Sequence, residues 1–370
     1  MYTVNIIMSV FNGENYLAEQ IDSIIQSTIS NWRLYIFDDG STDKSMEIAS
    51  DYAAKYKHKV FVGRNPYNMG STMSFLYNLC RVSDRISKTT KQKIINGYKV
   101  KVRGPKLESI KRITSSAATF VRHPLRSHGT GKCTQYYMFA DQDDFWLMDK
   151  IFLTIKKLKK LERGRGKHKP SMVFTDAILV DEGLRFQDKS FYKANHMRAG
   201  RCDLGHLLME NKAVGCTVAL NQAAADALRL TFPTEGNRFK FRNDYDYIRY
   251  HDWWMALICA GLGNVRFYHV PTVMYRQHSS NQVGQTDFKS YIRKRANDAP
   301  DIKRRLNETI AQAECFYRCY GPYLKKKKLK ILKRFCMLKE YNPVLKRLIM
   351  IRHGFFKSGF IRNVVLMLYI

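Results

Sequence analysis

The sequence predicts an α/β protein built on a mostly parallel sheet with flanking helices. Three observations carry this. Short apolar runs alternate with helical patterns from the N-terminus onward. The strand candidates are apolar on both faces, as strands covered by helices on each side must be. Acidic residues directly follow two of them, at the strand ends where open α/β sheets bind ligands.

The elements follow in order. "VNIIMSV" (Val4–Val10) reads as a buried strand, and Leu17, Ile21, Ile24, Ile25 and Thr28 then recur at helical spacing. "RLYIF" (Arg33–Phe37) is the next strand, followed by the turn "DDGSTD", in which Ser41 or Thr42 is placed to cap a helix over Lys44–Lys55. "HKVFVGR" gives a third strand and Ser71–Cys80 a third helix. "YYMFA" (Tyr136–Ala140) is the fourth strand, before the helix "IFLTIKKLKKL". From Ser171 come the strand "SMVFTDAILVD", the segment "AVGCTVAL", the helix "HDWWMALICAGLG", and one or two strands in "VRFYHVPTVMYRQH". Such alternation means βαβ units.

Of the net charge of +31, +23 sits in two appendages. Asp84–Gln135 holds 13 Lys/Arg against two acids, and Gly321 to the end holds 13 against one. Residues 85–134 lack sustained periodicity and read as a basic insertion; residues 291–370 read as a basic, amphipathic helical extension of a domain spanning 1–290. In "YLKKKKLKILKRFCML", Leu324, Leu329, Ile331, Leu332 and Phe335 form an apolar stripe among lysines. That stripe packs on the body or lies on a membrane surface, with packing slightly favoured. Basic appendages bind polyanions, either nucleic acid or an anionic membrane face. No secretory leader is expected, no run approaches the ~20 apolar residues of a membrane span, and the eight scattered cysteines read as reduced core thiols of a cytoplasmic protein.

The chemistry concentrates in "DQDD", Asp141–Asp144, after the fourth strand. Crowded carboxylates raise one another's pKa unless a cation intervenes. A divalent metal, Mg²⁺ or Mn²⁺, held by one or two of them and by a diphosphate resolves the repulsion. Helix capping is the plain alternative for Asp38-Asp39, but one cap does not need the three carboxylates of the second cluster. No G-x-G-x-x-G follows the first strand and no P-loop is present, which disfavours dinucleotide enzymes and excludes P-loop NTPases.

"IIMSVFNGENYLAEQIDSIIQST", "NWRLYIFDDGSTDKS", "RNPYNMGSTMSF" and "DQDDFW" together resemble glycosyltransferase family 2, whose fold is the GT-A-type Rossmann-like sheet; "HDWWMALICAGLG" and "VMYRQHSSNQVG" are similar to its bacterial rhamnosyltransferase-like branch. The resemblance implies that Ser9, Phe11 and Asp39 contact the nucleotide of a nucleotide-sugar donor, with Arg64, Asn68 and Gly70 lining the same pocket. Asp141 and Asp143 take the place of the metal motif, Asp143 as the more direct ligand, and His278 matches a position that adds a metal ligand in related enzymes. Asp252 matches the catalytic base of an inverting transferase; Trp253 beside it suits a sugar-stacking wall, and Asp176 is a third-rank candidate for the acceptor side.

The function implied is transfer of one sugar, rhamnose from a dTDP donor or a hexose from a UDP donor, to a saccharide or lipid-linked saccharide of a bacterial surface polysaccharide. The basic segments would hold the protein peripherally at the inner face of the cell membrane. A nucleic-acid-binding protein explains the charge but not the ordered acids, and no nucleic-acid module is recognisable. A catalytically dead scaffold ranks lower still, because Asp39, Asp143 and Asp252 are all present.

Overall fold

The computed structural model describes residues 1–86, 133–232, 247–278 and 299–369. The insertion expected over 85–134 therefore lies almost wholly outside the described residues, as does the stretch following His278.

The first four strands are β1 (Tyr2–Val10), β2 (Trp32–Asp38), β3 (Val60–Arg64) and β4 (Thr134–Ala140). They run parallel in the order β3-β2-β1-β4. The helices α1 (Leu17–Ile25), α2 (Ser45–Lys55) and α3 (Gly70–Ile86) connect and cover them. Register decides what this sheet presents. Val10 pairs with Asp38 and Met8 with Ala140, so the segments leaving β1, β2 and β4 emerge at one edge. Residues far apart in sequence, Ser9–Phe11, Asp38-Asp39 and Asp141–Asp144, are thereby gathered there.

Beyond β4 the sheet is mixed. After β5 (Phe145–Trp146) and α4 (Lys150–Arg165) come β6 (Ser171–Val180), β7 (Phe186–Asp188), and two short helices, α5 (Phe191–Ala194) and α6 (Leu204–Met209). Then follow β8 (Val218–Asn221), α7 (Gln222–Arg229), α8 (His251–Leu262) and β9 (Asn264–Arg276). β8 pairs antiparallel with both β4 and β6, whereas β6 and β9 are parallel. The apolar runs that announce these strands carry no direction, so the reversal at β8 is not readable from them. β9 is one continuous strand, and its register against β6 slips where Asp176 faces Pro271. A proline has no N–H for the ladder, which makes it a natural place for the irregularity.

The expected capping of α2 is corrected. Lys44 stands at its N-terminus and makes no side-chain cap. Ser41 instead accepts from the Asn12 N–H (3.0 Å), and the Thr42 N–H donates to Asn12 Oδ1 (2.9 Å). Both residues tie the β2–α2 turn to the β1–α1 turn through Asn12. The Gly13 N–H reaches Ser45 Oγ at 2.8 Å.

The C-terminal helices are α9 (Ala299–Tyr320), α10 (Lys326–Cys336), α11 (Pro343–His353) and α12 (Phe360–Tyr369). Phe316 and Tyr320 of α9 pack on Trp254 of α8, with ring centroids 5.6 and 6.0 Å apart. In the lysine-rich α10, Leu332 and Phe335 are buried, and Lys328 Nζ donates to the Ala260 carbonyl at 2.7 Å. The apolar stripe of α10 is thus spent on the body. All eight cysteines are free thiols.

Candidate active site

At the edge where β1, β2 and β4 end lies a cleft of about 790 Å³, lined by residues of both halves of the sheet. Of the residues singled out from sequence, Ser9, Phe11, Asp39, Asn68, Gly70, Asp141, Asp143, Asp252 and His278 line it.

On one side, Asp39 is buried and its position is fixed by donors. The Asn65 side chain donates to it at 2.7 Å and the Met69 N–H at 3.1 Å. Asn65 is itself held by Ser74 and Asn78, and Ser74 accepts from Ser9 at 2.6 Å. Gly70 adopts φ +73°, a conformation that a side chain would strain. Arg64 sits differently. Its Nε pairs with Asp38 at 3.0 Å, and it is not among the residues lining the cleft.

The DQDD segment forms the floor, and two residues that sequence reasoning passed over hold it. Gln142 clamps the Phe11 backbone from both sides, accepting from its N–H (2.8 Å) and donating to its carbonyl (3.1 Å). A Cβ on Gly13 would lie 2.6 Å from the Gln142 side chain, so glycine lets the two turns meet. Arg276 at the end of β9 donates from Nε to the Asp143 carbonyl (2.7 Å) and from its backbone N–H to Asp144 Oδ1 (3.1 Å). Its guanidinium also pairs with Glu19.

The three aspartates differ in what surrounds them. Asp143 Oδ2 lies 2.8 Å from His278 Nε2, and that hydrogen bond raises the imidazole above its ordinary pKa. Asp144 is fully buried, and burial followed by the Asp143 charge pushes it up to about 7. Asp141 is held well above the usual carboxylate range by burial and then by Asp144, Asp143 and Asp252. Lys150, fully buried beneath them, supplies a partial counter-charge; burial lowers it to about 8, and its Nζ donates to Thr272 Oγ1 at 3.2 Å.

The donor set fits a divalent cation. Asp144 Oδ2 is buried with no hydrogen-bond partner among the described residues, and ligand atoms of Asp141, Asp144 and Cys216 lie within 4.8 Å of one another. Burial raises the Cys216 thiol well above its ordinary pKa, and a soft sulfur ligand is not one that Mg²⁺ or Mn²⁺ favours. Carboxylate oxygens are what Mg²⁺ or Mn²⁺ accepts; Asp141 and Asp143 line the cleft together with His278, whose Nε2 is hydrogen-bonded to Asp143 Oδ2.

Across the cleft, Asp252 lies in the first turn of α8, whose N-cap position belongs to Tyr250. Capping therefore does not account for it. Asn211 Nδ2 donates to its Oδ1 at 2.9 Å and the Trp253 N–H at 2.6 Å. Burial nonetheless pushes Asp252 up to about 7, in the range of a general base. A Cβ on Gly215 would lie 2.6 Å from His251 Nε2, so the backbone passes close at this point. Two acceptor-side candidates lie behind the wall instead. Trp253 is buried and donates to the Leu207 carbonyl (2.6 Å), and Asp176 accepts from Ser190 Oγ (2.6 Å), the cap of α5. Neither lines the cleft. Asn211 comes from an irregular segment 41 positions before Asp252, and no motif announces it.

Comparison with known proteins agrees with the motifs. Residues 5–76 match the family model for glycosyl transferase family 2. The chain is 42% identical over 65 residues to the putative glycosyltransferase EpsE of Bacillus subtilis, which covers 18% of this chain and 23% of that protein. It thus spans about a quarter of that relative. It is 23% identical over 279 residues to the dTDP-rhamnosyl transferase RfbG of Shigella flexneri, 75% of this chain and 73% of that one. A structure of the mannosyltransferase PcManGT from Pyrobaculum calidifontis, in complex with GDP-Man and Mn²⁺, aligns over 100% of this chain and 85% of its own at 13% identity and a TM-score of 0.43.

Proposed function

We propose that the protein, whose residues 5–76 carry the glycosyl transferase family 2 segment, is a metal-dependent, inverting glycosyltransferase that moves one sugar from a nucleotide donor to a saccharide acceptor. The observation that carries this reading is the position of Asp252, a buried carboxylate raised to about 7, in the same cleft as the Asp141–Asp143–His278 group.

Asp39, fixed by Asn65 and the Met69 N–H, suits the nucleoside of the donor. Asp141, Asp143 and His278 would hold the cation, which when bound supplies charge neutralisation at the departing diphosphate. Gln142 and Arg276 keep the floor rigid, so that little reorganisation is needed as charge develops. Asp252 takes the proton of the acceptor hydroxyl as that oxygen bonds to the anomeric carbon. The bond from that carbon to the diphosphate oxygen breaks on the opposite face, and the electron pair leaves with the diphosphate. Asn211 orients the Asp252 carboxylate throughout.

Likeness to the rhamnosyl transferase of Shigella over most of both chains favours a dTDP-rhamnose donor, with a UDP-hexose as the second choice. The acceptor in this reading is a saccharide of a bacterial surface polysaccharide, free or lipid-linked, met at the inner face of the cell membrane. We assign donor chemistry to residues 1–290 and a peripheral role to 291–370. Incubation with dTDP-rhamnose or a UDP-hexose and a panel of saccharide acceptors tests the reading; nucleotide release that depends on acceptor and is lost in Asp252→Asn supports it.

A further inference from the structure

We propose that α11 and α12 together form a docking face for an anionic lipid bilayer, anchored to the wall of the cleft that carries Asn211. The assignment to an acceptor side rests on the function proposed above; the docking face itself does not.

The observation is a pair of apolar faces turned to solvent. On α11 they are Val344, Leu345, Leu348 and Ile351, and on α12 Phe360, Ile361, Val364 and Leu368, each exposed between 40% and 82%. Spacings of one, four and seven or eight place each set on one side of its helix. The other sides are spent inward, where Ile349, Met350 and Leu366 are buried. The two helices are clasped together by Arg347 Nε, which donates to the Met367 carbonyl at 2.7 Å.

Charge identifies the occupant. Residues 341–370 contain five Lys/Arg and no Asp or Glu, and the adjoining α10 contains six and none. On α10, Lys326, Lys327, Lys330, Lys333 and Arg334 are exposed. α10 meets the segments flanking α11, where Phe335 packs edge-on against Phe355 at 4.9 Å and Arg334 donates to the Tyr341 hydroxyl at 2.9 Å. Apolar faces bordered by cations match the boundary between headgroups and acyl chains of an anionic bilayer. A second copy of this chain would instead bring two like-charged faces together. Among the described residues, no helix is long and apolar enough to cross a bilayer.

The face is bolted to the cleft wall. Ser358, just before α12, donates to Glu210 Oε2 from both its N–H (2.7 Å) and its hydroxyl (2.6 Å). Arg362 lies 3.7 Å from Glu210 Oε1 and donates to the Asn195 carbonyl at 2.9 Å. Glu210 immediately precedes Asn211, the residue that orients Asp252, and Asn195 lies two positions before Met197 of the cleft lining. Docking through α11 and α12 therefore brings that wall to the lipid surface, where the saccharide of a lipid-linked acceptor projects.

Vesicle flotation with the full chain tests this, using phosphatidylcholine vesicles with and without 30% phosphatidylglycerol, and the double variant Leu348→Glu/Phe360→Glu. Both positions are exposed, so thermal melting is expected to match the wild type. The wild type should float only with the anionic vesicles, and the double variant should partition at least tenfold less. Equal flotation of variant and wild type, or no flotation of either, overturns the proposal. So does light scattering that finds a wild-type dimer which the variant splits, because the face then belongs to a second copy. Nucleoside diphosphate affinity, measured on the same samples, separates the claims. Its loss from every sample sinks the transferase reading alone, and its retention beside failed flotation sinks the docking face alone.

Discussion

Asn211 Nδ2 lies 2.9 Å from Asp252 Oδ1, a bond that spans 41 positions and joins an irregular segment to the first turn of α8. It favours the ionised carboxylate in a setting where burial opposes ionisation. Asn211→Ala is therefore expected to lower kcat roughly tenfold, as loss of a hydrogen bond to a charged group does. Nucleotide affinity should stay unchanged, because Asp39 and the metal group are untouched. The same variant should move the rise of rate with pH to higher pH; steady-state kinetics across pH checks both.

The wild-type pH profile follows from Asp252 itself. A base must be ionised, and burial pushes this one up to about 7. The rate at saturating donor is expected to rise as pH increases through about 7 and then level off. A rate already flat from pH 5 upward would remove Asp252 as the base.

Stability should run the other way. The folded-state pKa of Asp252 lies above the unfolded value near 4, so its favourable contribution is full below that value and is lost as pH rises toward 7. Asp252→Asn removes a buried charge while keeping the shape. At pH 8 it is expected to be more stable than the wild type by about 2 kcal/mol, with the difference shrinking as pH falls from 7 to 4. Denaturant melts at pH 5 and pH 8 measure this. A variant that loses activity and gains stability marks a residue kept for chemistry.

The floor makes a further prediction. Gln142 holds the Phe11 backbone through two bonds, and Gly13 permits the approach. Gln142→Ala frees that turn and is expected to weaken donor binding roughly tenfold, leaving Asp252-dependent steps intact. Calorimetry with nucleoside diphosphate reads the change. An unaltered affinity would place the Phe11 turn outside the donor site.

What could be read from the sequence depended on how local its cause was. Asp39, Asp141, Asp143 and Asp252 were legible because each sits at the end of a strand or the start of a helix, inside a run of recognisable residues. Asn211 and Arg276 act through partners 41 and 132 positions away, and no pattern of spacing encodes such a contact. Ser41 and Thr42 had the right types to cap α2, but a neighbouring turn outcompeted the helix for them. Strand direction was hidden too, since β8 looks apolar whichever way it runs. In the tail, periodicity marked the stripe of α10 but not its partner, and the body claimed it. The faces of α11 and α12 show themselves only once their other sides are buried.

The most direct test is calorimetric titration of dTDP, UDP and GDP into the protein with and without Mn²⁺, alongside Asp143→Asn. Asp143 and His278 hydrogen-bond each other at 2.8 Å, a bond that the cation would have to replace in order to be held by Asp143. One diphosphate is expected to bind only with Mn²⁺, and Asp143→Asn to abolish the binding. Failure of all three to bind, with or without metal, would contradict it and leave the acid cluster as structure alone.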